Sequence, residues 1–202
     1  MSSVAVRNAK ANCIDKRHCE IIGGKKYMPP SPSLNHNRII FSLYDVFKDI
    51  LRGRDFEFYS EPVDVILNEK DRPMPDFTIV SDSLKLSNGK NIQGAPDFIA
   101  EVLSPSNSAH DLITKRNLYE KHGVREYWIV DIQNRNIHVY TLKDGIYGAP
   151  DIYHCFTDED IREIEQGYDD DDKEQIKITH IESHTFGEQV NVPINKIFEN
   201  IK

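Results

Sequence analysis

The sequence predicts an α/β (α+β) domain in which a mixed central β-sheet is flanked by helices. Three patterns carry that prediction. Ile39, Ile40, Leu43, Val46, Phe47 and Ile50 recur at helical spacing, the apolar stripe of an amphipathic helix. Phe98, Ile99, Ala100, Val102 and Leu103 make a nearly continuous apolar run, as expected for a strand covered on both faces. That run is followed by a turn cluster, a helical stretch and the strand-like Glu126 to Asp131, which together read as a strand–helix–strand crossover.

Residues 1–15 read as a flexible N-terminal arm, and 16–202 as one domain. Cys19 to Ile22, Gly23-Gly24 and Lys25 to Met28 suggest a short hairpin with a glycine turn. Pro29, Pro30 and Pro32 then break regular structure, and a helix runs from about Asn35 to Leu51. Phe56 to Leu67 reads as strand, Asn68 to Arg72 as a polar turn, and Phe77 to Val80 as a short strand. A loop containing Asn88-Gly89 leads to the central strand. The turn Ser104 to Ser108 precedes a helix from about Ala109 to His122, closed by Gly123. Strands Glu126 to Asp131 and Asn136 to Leu142 follow, joined by a tight turn at Asn134-Arg135. Gly145 to Pro150 reads as loop. Residues 157–174 form an acidic, solvated insertion that includes the run Asp169 to Asp172. Ser183 to Val192 predicts a late strand or hairpin, and a terminal helix reaches Phe198.

Composition narrows the function classes. With 202 residues, 39% hydrophobic and 29% charged, the chain can bury a sizeable core. No apolar run is long enough to span a membrane, and the first residues lack the apolar core of a signal peptide. Three cysteines without zinc-like spacing suggest a reduced, cytoplasmic chain. A net charge of −8 argues against a broad basic surface, though not against a local basic groove.

The chemistry is suggested by acids inside apolar strands. Side chains alternate along a strand, so residues 97, 99, 101 and 103 share a face and Glu101 projects from mid-strand. A buried, unpaired carboxylate is costly, so Glu101 needs a hydrogen-bonded partner, a cation or a metal. The following helix offers Lys115, with Tyr119 at helical spacing. Asp76, Asp97, Glu101 and Lys115 together could hold a magnesium ion, which takes oxygen ligands, and place an amine beside it. Such a set suits phosphodiester hydrolysis, because the substrate is anionic and water is a poor nucleophile. Each residue also has a plainer reading. Asp76 and Asp97 follow prolines at strand starts, where an acid often satisfies backbone donors. Lys115 could pair with Asp111 on a helix surface, His36 could be a cap or surface residue, and Tyr119 and Trp128 could be core aromatics.

Taken together, CEIIGGK with Glu20, PSPSLNHNRI with His36, Pro75-Asp76-Phe77, APDFIAEVLSPS, Asp111 with Lys115 and Tyr119, HGVREYWIVD and the tail VNVPINKIFE resemble the Uma-type restriction-endonuclease family of the PD-(D/E)xK nuclease superfamily. The resemblance implies a restriction endonuclease-like fold and a DNA endonuclease using Mg2+ or Mn2+. It makes Asp76 the acid of the PD element, Glu101 the acid of the (D/E)xK element, and the backbone carbonyl of Val102 a further metal ligand. Leu103 stands where the element's lysine belongs, and Lys115 is its replacement from the next helix. Glu20 becomes an outer ligand of metal or water, His36 a substrate contact, and Asp97 a residue that lines the site or caps its strand. The resemblance also implies a homodimer, so that both strands of DNA are cut. The missing in-strand lysine and the acidic net charge keep a second reading open, a catalytically inactive nuclease-fold module that binds DNA or a protein partner.

Overall fold

The computed structural model describes residues 19–28, 31–60, 62–86, 88–103, 109–168 and 179–201, with the backbone alone for 109–111. In chain order the elements are β1 (Glu20–Ile22), β2 (Lys25–Tyr27), α1 (Leu34–Ile50), β3 (Glu57–Ser60), β4 (Val65–Ile66), β5 (Phe77–Val80), a 3-10 turn (Ser83–Leu86) and β6 (Ile92–Gln93). Then come β7 (Phe98–Val102), α2 (Ala109–His122), β8 (Glu126–Asp131), β9 (Asn136–Lys143), β10 (Ile146–Tyr147), β11 (Asp151–His154), α3 (Asp158–Gly167), β12 (His180–Ser183), β13 (Val190–Pro193) and α4 (Ile194–Phe198).

Seven strands form the central sheet, in the order β10–β9–β8–β7–β5–β3, with β11 also paired to β9. The β7–β8 pair is parallel and its neighbours are antiparallel, so the sheet is mixed as expected. The parallel pair follows from connectivity: α2 must carry the chain back across one face before β8 can run beside β7.

Alternation along β7 divides the core in two. Phe98, Ala100 and Val102 point to one face, where the α1 stripe Ile39, Leu43 and Phe47 packs with Trp128, Val190 and α4. Ile99 points to the other, where Leu118 and Tyr119 of α2 meet Tyr127, Ile129 and Tyr147. Glu101 shares this second face with Ile99 and therefore lies under α2. Two caps hold the relevant helices. Ser33 accepts from the His36 backbone N–H at the start of α1, and Thr157 and Asp160 form a capping box at the start of α3.

Several local expectations are corrected. Phe56 to Leu67 is not one strand: β3 pairs β5 in the main sheet, whereas β4 pairs β6 in a separate two-stranded sheet. Between them Pro62 interrupts a continuous ladder, since it has no N–H to donate. Gly145 to Pro150 contains β10, and β11 adds an edge strand that its weak alternation did not announce. Within the acidic insertion, 158–167 is helical, because acids in the first turn favour the helix N-terminus. The run Asp169 to Asp172 and the arm 1–15 lie outside the described residues. Cys155 is a buried free thiol. Among the described residues no helix is long and apolar enough to cross a membrane.

Candidate active site

The acids meet where the β5–β7 ladder stops. Its last pair is Phe77 opposite Ala100, and one step further in the same register Asp76 faces Glu101. Like charges directly opposite one another destabilise a sheet, so this placement needs compensation. Asp76 Oδ2 accepts from the Val102 N–H at 2.6 Å and lies 3.1 Å from His36 Nε2. Glu101 is compensated from α2. Lys115 Nζ donates to both of its carboxylate oxygens, at 3.0 and 2.9 Å, and Tyr119 Oη donates to Oε1 at 2.6 Å. Lys115 and Tyr119 are one helical turn apart, so both reach the same carboxylate.

Glu20 completes the cluster from β1. Its Oε1 accepts from the Met74 backbone N–H at 3.0 Å and lies 3.0 Å from Lys115 Nζ. The isolated bridge between Ile21 and Arg72 fixes β1 against the segment leading to Asp76. Glu20, Asp76 and Glu101 are 6%, 5% and 4% exposed, so three carboxylates share one poorly solvated place with a single ammonium.

That imbalance sets the electrostatics. Burial raises the Glu101 pKa most strongly; Lys115 pulls it back, Asp76 and Glu20 push it up again, and it comes to about 7. Burial alone would lower the Lys115 pKa, but Glu101, Glu20 and Asp76 hold it far above the ordinary lysine value. Burial likewise opposes protonation of His36, yet the hydrogen bond and charge of Asp76 prevail and raise it. Tyr119 is pushed well up by burial and by the charges of Glu101 and Glu20, so its hydroxyl remains a donor.

A stability prediction follows from the sign of these shifts. A group with a raised folded pKa contributes stability in full below its unfolded pKa and loses it as pH rises through the folded one. Glu101, shifted from 4.5 to about 7, should therefore cost stability as pH rises across that interval, on the order of 3 kcal/mol. His36 and Glu126, also raised, act in the same direction, and His138, lowered by burial, acts against it. Asp71 and Asp97 are shifted down and titrate below this window, and Lys115 titrates above it. In EDTA, the melting temperature should fall from about pH 5 to pH 8, and Glu101→Gln should make that fall shallower. A wild-type profile that is level over this range would contradict the shift.

Asp97 stands apart from the cluster. It sits before the first residue of β7, accepts from Ser81 N at 2.7 Å and Ser81 Oγ at 2.9 Å, and pairs with Arg125. Burial raises its pKa, but these donors outweigh burial and lower it. It ties β7 to the ends of its two neighbours, the cap reading of this residue. His36 touches Asp76, which neither a surface nor a helix-cap reading anticipates. Lys115 is turned toward Glu101 and Glu20; the side chain of Asp111, its other suggested partner, lies outside the described residues. Tyr119, readable from sequence as a core aromatic, also donates to Glu101, and its i, i+4 spacing from Lys115 was the available signal.

The donor set suits a hard divalent cation. It offers carboxylate oxygens in excess of positive charge, and that excess adds to the effect of burial on Glu101. Among the described residues, no three histidine, cysteine or acidic side chains are arranged as ligands of one ion. Glu20 and Glu101 converge instead on the Lys115 ammonium.

In fold the chain is similar to a crystal structure described as a "putative nuclease belonging to DUF820 from Anabaena variabilis ATCC 29413". The TM-score is 0.67 at 17% sequence identity, with 92% of each chain covered. No curated protein matches the chain. The family model described as "Putative restriction endonuclease" matches residues 13–168, most of the sequence, and the chain belongs to this Uma2 family.

Proposed function

We propose that this protein is a metal-dependent endonuclease that hydrolyses phosphodiester bonds in DNA. The observation that carries the proposal is the buried cluster of Glu20, Asp76 and Glu101 around Lys115, a concentration of acid that serves no packing purpose. Asp76, Glu101 and the Val102 carbonyl would hold Mg2+ or Mn2+. Val102 donates its N–H toward Asp76, and in an extended strand a residue's N–H and C=O point to the same neighbour. When bound, such an ion would activate water and neutralise charge gathering on the phosphate.

The protein's own groups supply the rest. Tyr119 and the strand fix Glu101, so its orientation does not depend on substrate. His36 and the Val102 N–H fix Asp76 in the same way. Lys115 is held protonated beside both Glu20 and Glu101, placed to orient the attacking water or to stabilise negative charge on the phosphate oxygens. Exclusion of bulk water from the cluster strengthens each of these interactions.

Incubating supercoiled plasmid with the full chain and MgCl2 should give nicked and linear forms, and EDTA should stop the reaction. Intact plasmid at every magnesium and manganese concentration would defeat the endonuclease reading. The convergence of Glu20 and Glu101 on Lys115 favours the second reading, an inactive module of the same fold. Calorimetric titration with MgCl2 separates the two, since an inactive module should show no binding that depends on Asp76 and Glu101. Cutting both strands of a duplex would call for two copies of this chain, which sedimentation in the presence of DNA would show.

A further inference from the structure

We propose that a groove beside the acid cluster holds backbone phosphates of the nucleic acid through Lys25, Lys70 and Lys121. The inference rests on the nuclease reading and adds where the polymer runs. The groove encloses about 620 Å³ and is walled by Ile22 and Gly23, the turn 68–71, and Asn117, Leu118 and Lys121 of α2. Its walls are the elements that build the site: β1 carries Glu20 two residues before Ile22, and α2 carries Lys115 six residues before Lys121. A polymer lying in it would therefore pass alongside the carboxylates.

Hairpin pairing adds a third cation. Lys25 is directly opposite Ile22, so the two share a face of the β1–β2 ribbon, the face that also carries Glu20. Lys26 is opposite Ile21 and points the other way. Lys25, Lys70 and Lys121 are all exposed. The buried acid in the groove wall, Asp71, is answered from within the wall. Burial raises its pKa, yet the Gly23 N–H, Asn68, His122 and Lys121 together bring it below the ordinary value. Glu69 is the remaining acid of the lining, and it is exposed. On a chain of net charge −8, a polyanion gains little from the surface at large, so its contacts must be local. Lysines present point charges suited to phosphate, and phosphate contacts carry no sequence information, so the groove would position the backbone without choosing sequence.

The test is binding, and cleavage is kept out of it. The full chain carrying Glu101→Gln is titrated, in EDTA, against a fluorescein-labelled DNA duplex across a KCl series, with anisotropy as the readout. Lys25→Ala, Lys70→Ala and Lys121→Ala should each flatten the log affinity against log salt slope by about 0.9, and Lys26→Ala should not. A triple variant that folds by circular dichroism and keeps the parent slope overturns the groove. So does Lys26→Ala if it flattens the slope as much as Lys25→Ala, and so does a parent protein that binds polyglutamate but not the duplex. Failure of the nuclease reading shows separately, as magnesium-independent intact plasmid from wild-type protein whose duplex binding still depends on these lysines.

Discussion

Glu101→Gln will lower magnesium-dependent plasmid cleavage by roughly 10³-fold or more, about 4 kcal/mol of transition-state stabilisation, while the protein stays folded. Glutamine keeps the shape of the side chain and an oxygen that accepts from Tyr119, so the packing under α2 survives. What it removes is one formal charge and one hard oxygen donor, the features a divalent cation requires. The fold should tolerate the loss, because burial already disfavours the ionised form of Glu101. Loss of cleavage would accordingly come with unchanged or increased thermal stability near pH 8, and that pairing separates a catalytic role from a structural one. An equally active Glu101→Gln protein would show that cleavage arises elsewhere or from a contaminant. A variant that fails to fold would show that the carboxylate is a structural anchor.

Another buried strand acid shows what such a result adds. Glu126 is 1% exposed and has a raised pKa because of burial, so burial and titration alone would recommend it as readily as Glu101. Its hydrogen-bond partners are neutral: Trp128 Nε1 at 2.7 Å, and the hydroxyls of Ser183 and Thr185 at 2.6 Å each. They tie the terminal β12–β13 hairpin to the sheet, and none of these three donors is shared with a second carboxylate. Glu101 differs in its company of two further acids and a lysine. Alternation along β7 was enough to read its face and to require a partner. Helical spacing then offered Lys115, and the coordinates place it there.

The rest of the site lay beyond local pattern. Glu20 meets Lys115 across 95 positions of sequence, held by the short bridge between Ile21 and Arg72. His36 reaches Asp76 from a helix packed on the opposite face of the sheet from α2. Contacts at such separations come from tertiary packing, for which spacing carries no signal. Element types followed period more faithfully than element limits. The stripe of α1 and the runs of β7 and β8 were long and regular enough to read. β4, β6 and β10 are two residues each, no more than one repeat of strand alternation, and took their structure from their pairing partners. The helix in the acidic insertion was hidden for a different reason: high charge suggested solvation, and its cap at Thr157 was the sign that pointed to helix.

Lys115→Met will destabilise the metal-free protein by about 3–5 kcal/mol at pH 8, the usual cost of removing one partner from a buried charge cluster. Methionine retains most of the side-chain volume, so the cost is electrostatic. Glu20 and Glu101 both lose a partner within about 3 Å, and Asp76 loses a nearby positive charge, keeping His36. For a chain of 202 residues this corresponds to a melting temperature lower by roughly 6–20 °C. Three further measurements identify the cause. Lowering the pH to about 5.5 should recover much of the loss, since Glu101 can then take a proton in place of the ammonium. Placing the substitution in a Glu101→Gln background should make it cheaper, because one of the carboxylates it strands is already neutral. Magnesium chloride should raise the melting temperature of Lys115→Met more than that of wild type, because the variant has the larger uncompensated negative charge. Equal penalties at pH 5.5 and pH 8, with no coupling to Glu101→Gln, would mean that Lys115 acts by packing alone, and the electrostatic account of the site would then fail.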